Sequence, residues 1–263
     1  MNYRIIALDV DGTLIDDHHE LRPRVRAAVR AAAEQGAEIV LCTGRGTTST
    51  LPMLEQLGLE GTVVTHNGAC VVDSRTREVL HQSVIPPELV ERYLDYCRER
   101  RYHFDMNTAF ELYVESLDET MAAVYKRIFV TPIVRDAKTE GLPDCTLKIS
   151  IFALKEQLDE LERDWAAWSH DLQTVRSGDF FMDVQPLAAS KGTALESLAK
   201  LRGVPREQIL AIGNYYNDIG MLTYAGHGVA VANSPDAVKE AADEVTLSNN
   251  EDGVAVVLEK LLG

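Results

Sequence analysis

The chain has 263 residues, 46% hydrophobic and 25% charged, the composition of a globular protein with room for one large domain or two ordinary ones. Its 26 basic and 41 acidic residues leave a formal charge of −15, which argues against nucleic acid or an anionic membrane as partner and requires local cations wherever an anion is to bind. No apolar run approaches bilayer length, no basic-then-apolar leader precedes the first strand, and Cys42, Cys70, Cys97 and Cys145 form no CxxC pair, so a cytoplasmic protein with reduced core thiols is expected.

The first predicted element is a short apolar strand over about 4–9 that runs into Asp9-Val10-Asp11-Gly12-Thr13. Two carboxylates at the end of a buried strand need a cation, a shared proton, or both. Gly12 permits the sharp path that turns main-chain amides toward a ligand. Such a pair suits carboxylate attack on phosphorus assisted by a divalent metal. An EF-hand calcium loop is excluded, because Leu14 occupies the required glycine position and a strand, not a helix, precedes it. A solvated acidic turn is the bland alternative, and the choice rests with the rest of the chain.

A helix follows from Pro23 to Gln35, with a poor N-cap and Gly36 as its stop. Glu38–Cys42 reads as a strand ending at Thr43-Gly44-Arg45, a helix covers about 47–57, and Thr62–Thr65 is a third strand ending at His66-Asn67-Gly68. Apolar strands alternating with helices predict a doubly wound parallel sheet of Rossmann-like α/β type, with ligands at the carboxyl ends of the strands. Residues 82–183 have a different texture. They hold both tryptophans and strands near 102–106, 110–114, 148–152 and 180–184, flanked by helices at about 87–100 and 155–168. This segment reads as an α+β module inserted into the first domain, which is then discontinuous over 1–81 and 184–263. From Ser190 the α/β texture resumes: a helix from Lys191, the strand Ile209–Ile212 ending at Gly213-Asn214-Tyr215-Tyr216-Asn217-Asp218, strands near 228–231 and 244–247, and a last helix over Val254–Leu262.

Four polar clusters therefore converge on one sheet edge: Asp9 with Asp11, Thr43 with Gly44, Lys191, and Asn214 to Asp218. Their order and context resemble the haloacid dehalogenase-like (HAD) superfamily of phosphohydrolases, in particular the Cof-type phosphatases, whose α/β cap is inserted between the second and third motifs. DVDGTL, TGR, the NGA of Asn67-Gly68-Ala69, SKG around Lys191 and NDIGML from Asn217 all match, and the likeness spans the whole chain. It decides against the acidic turn.

The resemblance implies roles. Asp9 is the expected nucleophile and Asp11 the acid and then base, also giving its main-chain carbonyl to Mg²⁺. Thr43, Gly44, Lys191 and Asn217 are expected at the phosphoryl group, and Asp9, Asp11, Asn214 and Asp218 around the metal. Asn214 departs from the family's aspartate at that position; an amide oxygen coordinates Mg²⁺ without adding charge, so weaker metal affinity is expected. Candidate substrate contacts are Arg45, His66 and Asn67 from the core and Lys148, Arg176 and Asp183 from the cap. Their bland counterparts are a helix-start ion pair for Arg45, a satisfied turn histidine for His66, and sheet-surface charges in the cap. His18-His19 reads as a solvated pair, and Trp165 with Trp168 as cap core. The implied activity is Mg²⁺-dependent hydrolysis of small phosphorylated metabolites, sugar phosphates first, in a monomer or homodimer. A phosphomutase and a catalytically silent phosphosugar-binding protein are the alternatives.

Overall fold

A computed structural model of the chain describes residues 2–127, 130–168, 171–178 and 180–263. In chain order, β1 (Ile5–Leu8) leads to α1 (Pro23–Glu34), β2 (Glu38–Cys42), α2 (Thr47–Leu57) and β3 (Thr62–Thr65), and a 3-10 turn at His66–Gly68 reverses the chain into β4 (Cys70–Asp73) and β5 (Val79–Gln82). Next come α3 (Pro87–Arg100), β6 (His103–Asn107), β7 (Leu112–Val114), α4 (Glu119–Arg127), β8 (Ile133–Val134), β9 (Lys148–Phe152), α5 (Lys155–Trp165), β10 (Leu172–Gly178) and β11 (Phe181–Pro186). The chain closes with α6 (Lys191–Arg202), β12 (Ile209–Gly213), α7 (Ile219–Tyr224), β13 (His227–Ala230), α8 (Asp236–Ala241), β14 (Glu244–Val245) and α9 (Gly253–Leu262).

Two compact units result: Met1–His81 with Ser190–Gly263, and Gln82–Ala189. A boundary at 183/184, as read from the sequence, falls inside β11. That strand's pairing continues through Val184, Gln185 and Pro186, so the second unit keeps it whole and runs on to Ala189.

The first unit is built on a sheet ordered β14-β13-β12-β1-β2-β3-β4-β5. β1 lies between β12 and β2, parallel to both, with Ile5 opposite Ile209 and Glu38, and Leu8 opposite Ile212 and Leu41. All four β1 residues are completely buried, which is why the strand is apolar on both faces instead of alternating. Ile5, Ala7, Val40 and Cys42 pack with Leu195, Leu198, Met221 and Leu222 of α6 and α7. Ile6, Leu8 and Leu41 alternate to the opposite face. Fully burying a side chain of this size is worth about 1.5–3 kcal/mol. The far edge departs from the parallel expectation, because β4 runs antiparallel to β3 from Thr65↔Cys70 to Thr62↔Asp73. β1, β2, β3 and β12 are mutually parallel neighbours, so the loops after all four emerge on one edge of the sheet.

The second unit is an α+β module with sheet order β10-β11-β9-β6-β7-β8, antiparallel except where β7 meets β8. On one face Phe104, Met106, Ile149, Ile151, Met182 and Val184 pack against Val90, Tyr93 and Leu94 of α3 and Leu158, Leu161 and Trp165 of α5. Both tryptophans meet Tyr93 and Tyr96 edge-on, as cap core was expected to. Alternation puts Asp105, Ser150 and Asp183 in a row on the opposite face.

All four cysteines are free, and Cys42, Cys70 and Cys97 are buried. Cys145 is the correction: it lies exposed in the loop before β9, not in the core. Among the described residues, no helix is long and apolar enough to cross a membrane.

Candidate active site

Three buried charges form the centre of the first unit. Lys191, the first residue of α6, donates from Nζ to Asp9 Oδ1 at 2.7 Å and to Asp218 Oδ1 at 2.6 Å. Asp9 follows β1, and its N–H is fixed by the Ile212 carbonyl of β12. Ser190 caps α6 by accepting the Thr193 N–H, while Thr193 Oγ1 accepts the Ser190 N–H, so the lysine is delivered from a closed helix start. Asp218 reaches back along its own loop, and its Oδ2 accepts the N–H groups of Asn214 and Tyr215 at 2.8 and 2.9 Å. Both oxygens of Asp218 are therefore engaged. These contacts anchor Lys191 and the Gly213–Asp218 loop, and the Oδ1 that accepts from Lys191 keeps a second lone pair for the cation expected beside it.

Asp9 differs from Asp218 in one respect. Its Oδ2 is buried and, among the described residues, has no hydrogen-bond partner. Burial, then the nearby Asp218 carboxylate, pushes the Asp9 carboxyl up to about 7, although Lys191 opposes the rise. Burial pulls the Lys191 ammonium down, but the Asp218 and Asp9 carboxylates outweigh it and the net shift is upward. Two carboxylates sharing one ammonium leave a net negative charge in a dry site, and an orphaned carboxylate oxygen is where a cation or an electrophile belongs. The residues present fit Mg²⁺ in this sense, with the Asp9 carboxylate, the Asp11 main-chain carbonyl, the Asn214 amide and the Asp218 carboxylate as the oxygen donors. Among the described residues no three His, Cys, Asp or Glu side chains converge as a cage.

The loop after β1 is wound tightly, with the Val10 carbonyl accepting from Leu14 and Ile15. Gly12 has φ +75°, and a methyl carbon there would lie 2.4 Å from Asn214 Nδ2. Only glycine lets the two loops approach this closely. Asp11 points out of this turn and is held in a fork by Arg45, whose Nε reaches Oδ2 at 2.8 Å and Nη2 reaches Oδ1 at 2.5 Å. His19 Nδ1 stands 3.8 Å from the same carboxylate, and its side chain is 74% exposed, in keeping with a solvated pair. The Asp11 side chain is 44% exposed, whereas Asp9 is buried. The N-terminal pair is thus split between a dry and a wet environment.

Thr43 lies buried at the end of β2, and its Oγ1 accepts the Arg45 N–H at 3.1 Å. The Arg45 carbonyl accepts the His66 N–H and the Thr43 carbonyl accepts the Asn67 N–H, lacing the loops after β2 and β3 together. Gly44 backs onto Asn67, where a methyl carbon would meet Oδ1 at 2.8 Å. That same Oδ1 accepts from Asn217 Nδ2 at 3.0 Å. Asn67 is buried, with left-handed backbone at φ 55°. Its geometry serves Asn217 and Gly44 as a support. His66 is buried too, its ring packed beneath Gly46. Gly68, at φ +97°, brings this turn so near the α6 start that a methyl carbon would sit 2.1 Å from the Ser190 carbonyl oxygen. The NGA turn thereby seats the helix that carries Lys191.

In the second unit, Lys148 Nζ lies 3.3 Å from Asp183 Oδ1, both nearly buried. Asp105 accepts from Asn107 Nδ2 and from the Tyr125 hydroxyl. Burial, against Lys148 and Tyr125, raises the Asp105 carboxyl to about 6. Arg176 does not join Lys148 and Asp183. It pairs across the ladder with Met182, on the helix-covered face, and its Nη2 binds Asp159 and Glu162 of α5. That corrects its grouping with the other two, since strand alternation sends it to the opposite side of the sheet.

A family model described as haloacid dehalogenase-like hydrolase matches residues 6–258. Phosphatase YwpJ of Bacillus subtilis (strain 168) is 30% identical over 285 residues, covering 98% of this chain and 100% of that protein. The 5-amino-6-(5-phospho-D-ribitylamino)uracil phosphatase YitU of the same organism is 28% identical over 274 residues, covering 97% and 96%. A solved haloacid dehalogenase-like hydrolase from Bacteroides thetaiotaomicron superposes with a TM-score of 0.89 at 29% identity, covering 98% of this chain and 99% of the other. With the matching residues gathered at one sheet edge and the likeness running the length of the sequence, the chain belongs to the haloacid dehalogenase-like hydrolases and is a phosphatase of that family.

Proposed function

We propose that the chain hydrolyses phosphate monoesters with the help of Mg²⁺, through an aspartyl-phosphate formed on Asp9. The observation that carries this reading is the Asp9 carboxylate, buried, fixed through Oδ1 by Lys191, and without a partner at Oδ2 among the described residues. A carboxylate held by one oxygen and open at the other is arranged to attack. In the first step Asp9 Oδ2 bonds to phosphorus, the ester P–O bond breaks, and Asp11 gives its proton to the departing oxygen. In the second, Asp11 takes a proton from a water whose oxygen attacks phosphorus, and the bond to Asp9 breaks to release inorganic phosphate.

Thr43 and Gly44 receive the phosphoryl oxygens. An ammonium has three donors and Lys191 uses two of them on Asp9 and Asp218, so its third is available to the phosphoryl group. Bound Mg²⁺ would neutralise charge between the attacking carboxylate and the phosphoryl oxygens. Asp9, the Asp11 carbonyl, Asn214 and Asp218 would hold it, while Asn217 positions its neighbours. The inserted unit takes the role of cap, with Lys148 and Asp183 as its candidate leaving-group contacts.

Small phosphorylated metabolites are the substrate class, sugar phosphates first. In support, one relative's name places the phosphate on a ribityl chain. Free thiols agree with a cytoplasmic enzyme. A second reading, a phosphosugar-binding protein without turnover, rests on Asn214 alone, which adds no charge to the metal site. Hydrolysis of 4-nitrophenyl phosphate across a Mg²⁺ titration, with Asp9→Asn alongside, separates the two. Metal-dependent turnover that Asp9→Asn abolishes is the expected result. Absence of turnover at every Mg²⁺ concentration favours the binding protein, and turnover that survives the substitution removes Asp9 from the mechanism.

A further inference from the structure

Arg45 is joined to both ends of the proposed chemistry. Its guanidinium grips both oxygens of Asp11, at 2.8 and 2.5 Å. Its N–H is held by the Thr43 hydroxyl and its carbonyl by the His66 N–H, so the backbone from which the side chain departs is pinned on both sides. A planar fork on a carboxylate fixes the plane of the carboxyl group as well as its position, which a single donor cannot do. Asp11 needs such help. It projects from a turn, its side chain is 44% exposed, and the ionisable side chain of His19 beside it is itself 74% exposed. Without Arg45 the Asp11 carboxyl would rotate freely in solvent.

We infer that Arg45 is a positioning residue for proton transfer: its fork sets the plane of the Asp11 carboxylate, one of the two contacts opens when that oxygen carries the proton, and the other keeps the carboxyl tied to the Thr43 loop. This rests on the reading of Asp11 as acid and base. It assigns Arg45 a task distinct from the substrate contact expected from sequence. A donor that binds substrate directly stabilises every ester alike. One that aims a general acid matters in proportion to how badly the leaving group needs a proton.

The test compares kcat/KM for phenyl phosphate and 4-nitrophenyl phosphate, two esters of nearly the same shape whose leaving groups differ in their need for protonation. Asp11→Asn first checks the parent reading, and it should depress phenyl phosphate far more than 4-nitrophenyl phosphate. If Asp11→Asn lowers both esters equally, the acid role of Asp11 fails and the inference fails with it. Given that differential, Arg45→Ala should reproduce it, with phenyl phosphate falling roughly 10- to 100-fold and 4-nitrophenyl phosphate less than about 3-fold. Arg45→Lys, which keeps charge but not the fork, should fall between. In the Asp11→Asn background, Arg45→Ala should cost nothing further. An equal fall for both esters in Arg45→Ala, with the Asp11→Asn differential intact, overturns the inference and makes Arg45 a substrate ligand or a structural residue. Thermal melting of Arg45→Ala accompanies the kinetics, and a ratio change in a variant that melts with the parent supports the positioning role.

Discussion

Lys191 and Asp218 are joined at 2.6 Å inside the first unit, with side chains 1% and 0% exposed. Beyond its proposed role at the phosphoryl group, the lysine is the counter-ion for two buried carboxylates. Replacing it by methionine leaves both buried and unpaired. The Lys191→Met variant should lose ~3–5 kcal/mol of unfolding free energy at neutral pH. The Lys191 pKa is raised, so its own contribution is constant at every pH below the ordinary lysine range. In the variant the carboxylates can protonate as pH falls, so the gap to the parent should narrow toward pH 5. Urea melts at pH 5 and pH 8 check this, and a gap that is constant or widens in acid refutes it.

In the proposed metal set, Asn214 is the side-chain ligand that brings no charge. Asn214→Asp should lower the Mg²⁺ concentration for half-activity roughly 10-fold, because ligand charge tunes affinity for a hard cation. Titration calorimetry of Mg²⁺ without substrate should show the same tightening. No change in either measurement would mean that this side chain does not face the metal. Space is a second constraint, since the Asn214 amide already crowds Gly12.

Asp105 tests the polar face of the second unit. Burial raises its carboxyl from the ordinary 3.8 to about 6, so the folded state binds its proton more tightly than the unfolded state does. Stability is therefore lost as pH rises from about 4 to about 6 and stays lost above that. Asp105→Asn does not titrate. Its stability relative to the parent should climb across this window, by ~3 kcal/mol at most for a shift of this size. Thermal melts at pH 4 and pH 8 give the answer, and a relative stability that falls with pH contradicts the assignment.

Gly68→Ala should be disruptive despite adding one carbon. Its methyl would lie 2.1 Å from the Ser190 carbonyl on a backbone with φ +97°. A loss of ~3 kcal/mol is expected, from strain and from displacement of the α6 start. Gly36→Ala, where no atom of the described residues other than its chain neighbours lies within 4 Å of the added carbon, is the matched control for left-handed glycine, and its loss should be clearly smaller. Equal losses would mean that φ alone, and not the approach to Ser190, explains Gly68.

What the sequence made legible follows from where its signals are local. β1, β2, β3 and β12 are buried on both faces, so they stand out as apolar runs, and each ends in the polar turn that carries the chemistry. The three-charge centre was legible only as a set of motifs. Nothing in the spacing says that Asp218 spends both oxygens on Lys191 and its own loop, or that Arg45 closes on Asp11, because those contacts depend on how turns fold over one another. The β4–β5 edge was missed because Cys70–Asp73 is four residues long and follows the NGA turn directly. Arg176 was grouped with Lys148 and Asp183 by analogy with cap residues that face a cleft, and its own strand, β10, was not read from the sequence, so its facing was not legible.

The position of β1 between β2 and β12 has a consequence for the birth of the protein. β2 is translated soon after β1, but β12, Lys191 and Asp218 arrive only after the whole inserted unit. A nascent chain that has reached Ala189 holds every strand of the second sheet. In the first sheet, β1 still has an open edge, and Asp9 has no ammonium beside it. An open edge is a template for wrong pairing, and an unpaired buried carboxylate resists collapse. The insertion is therefore complete before its host, and the Asp9–Lys191–Asp218 centre closes only with chain translated after the insertion.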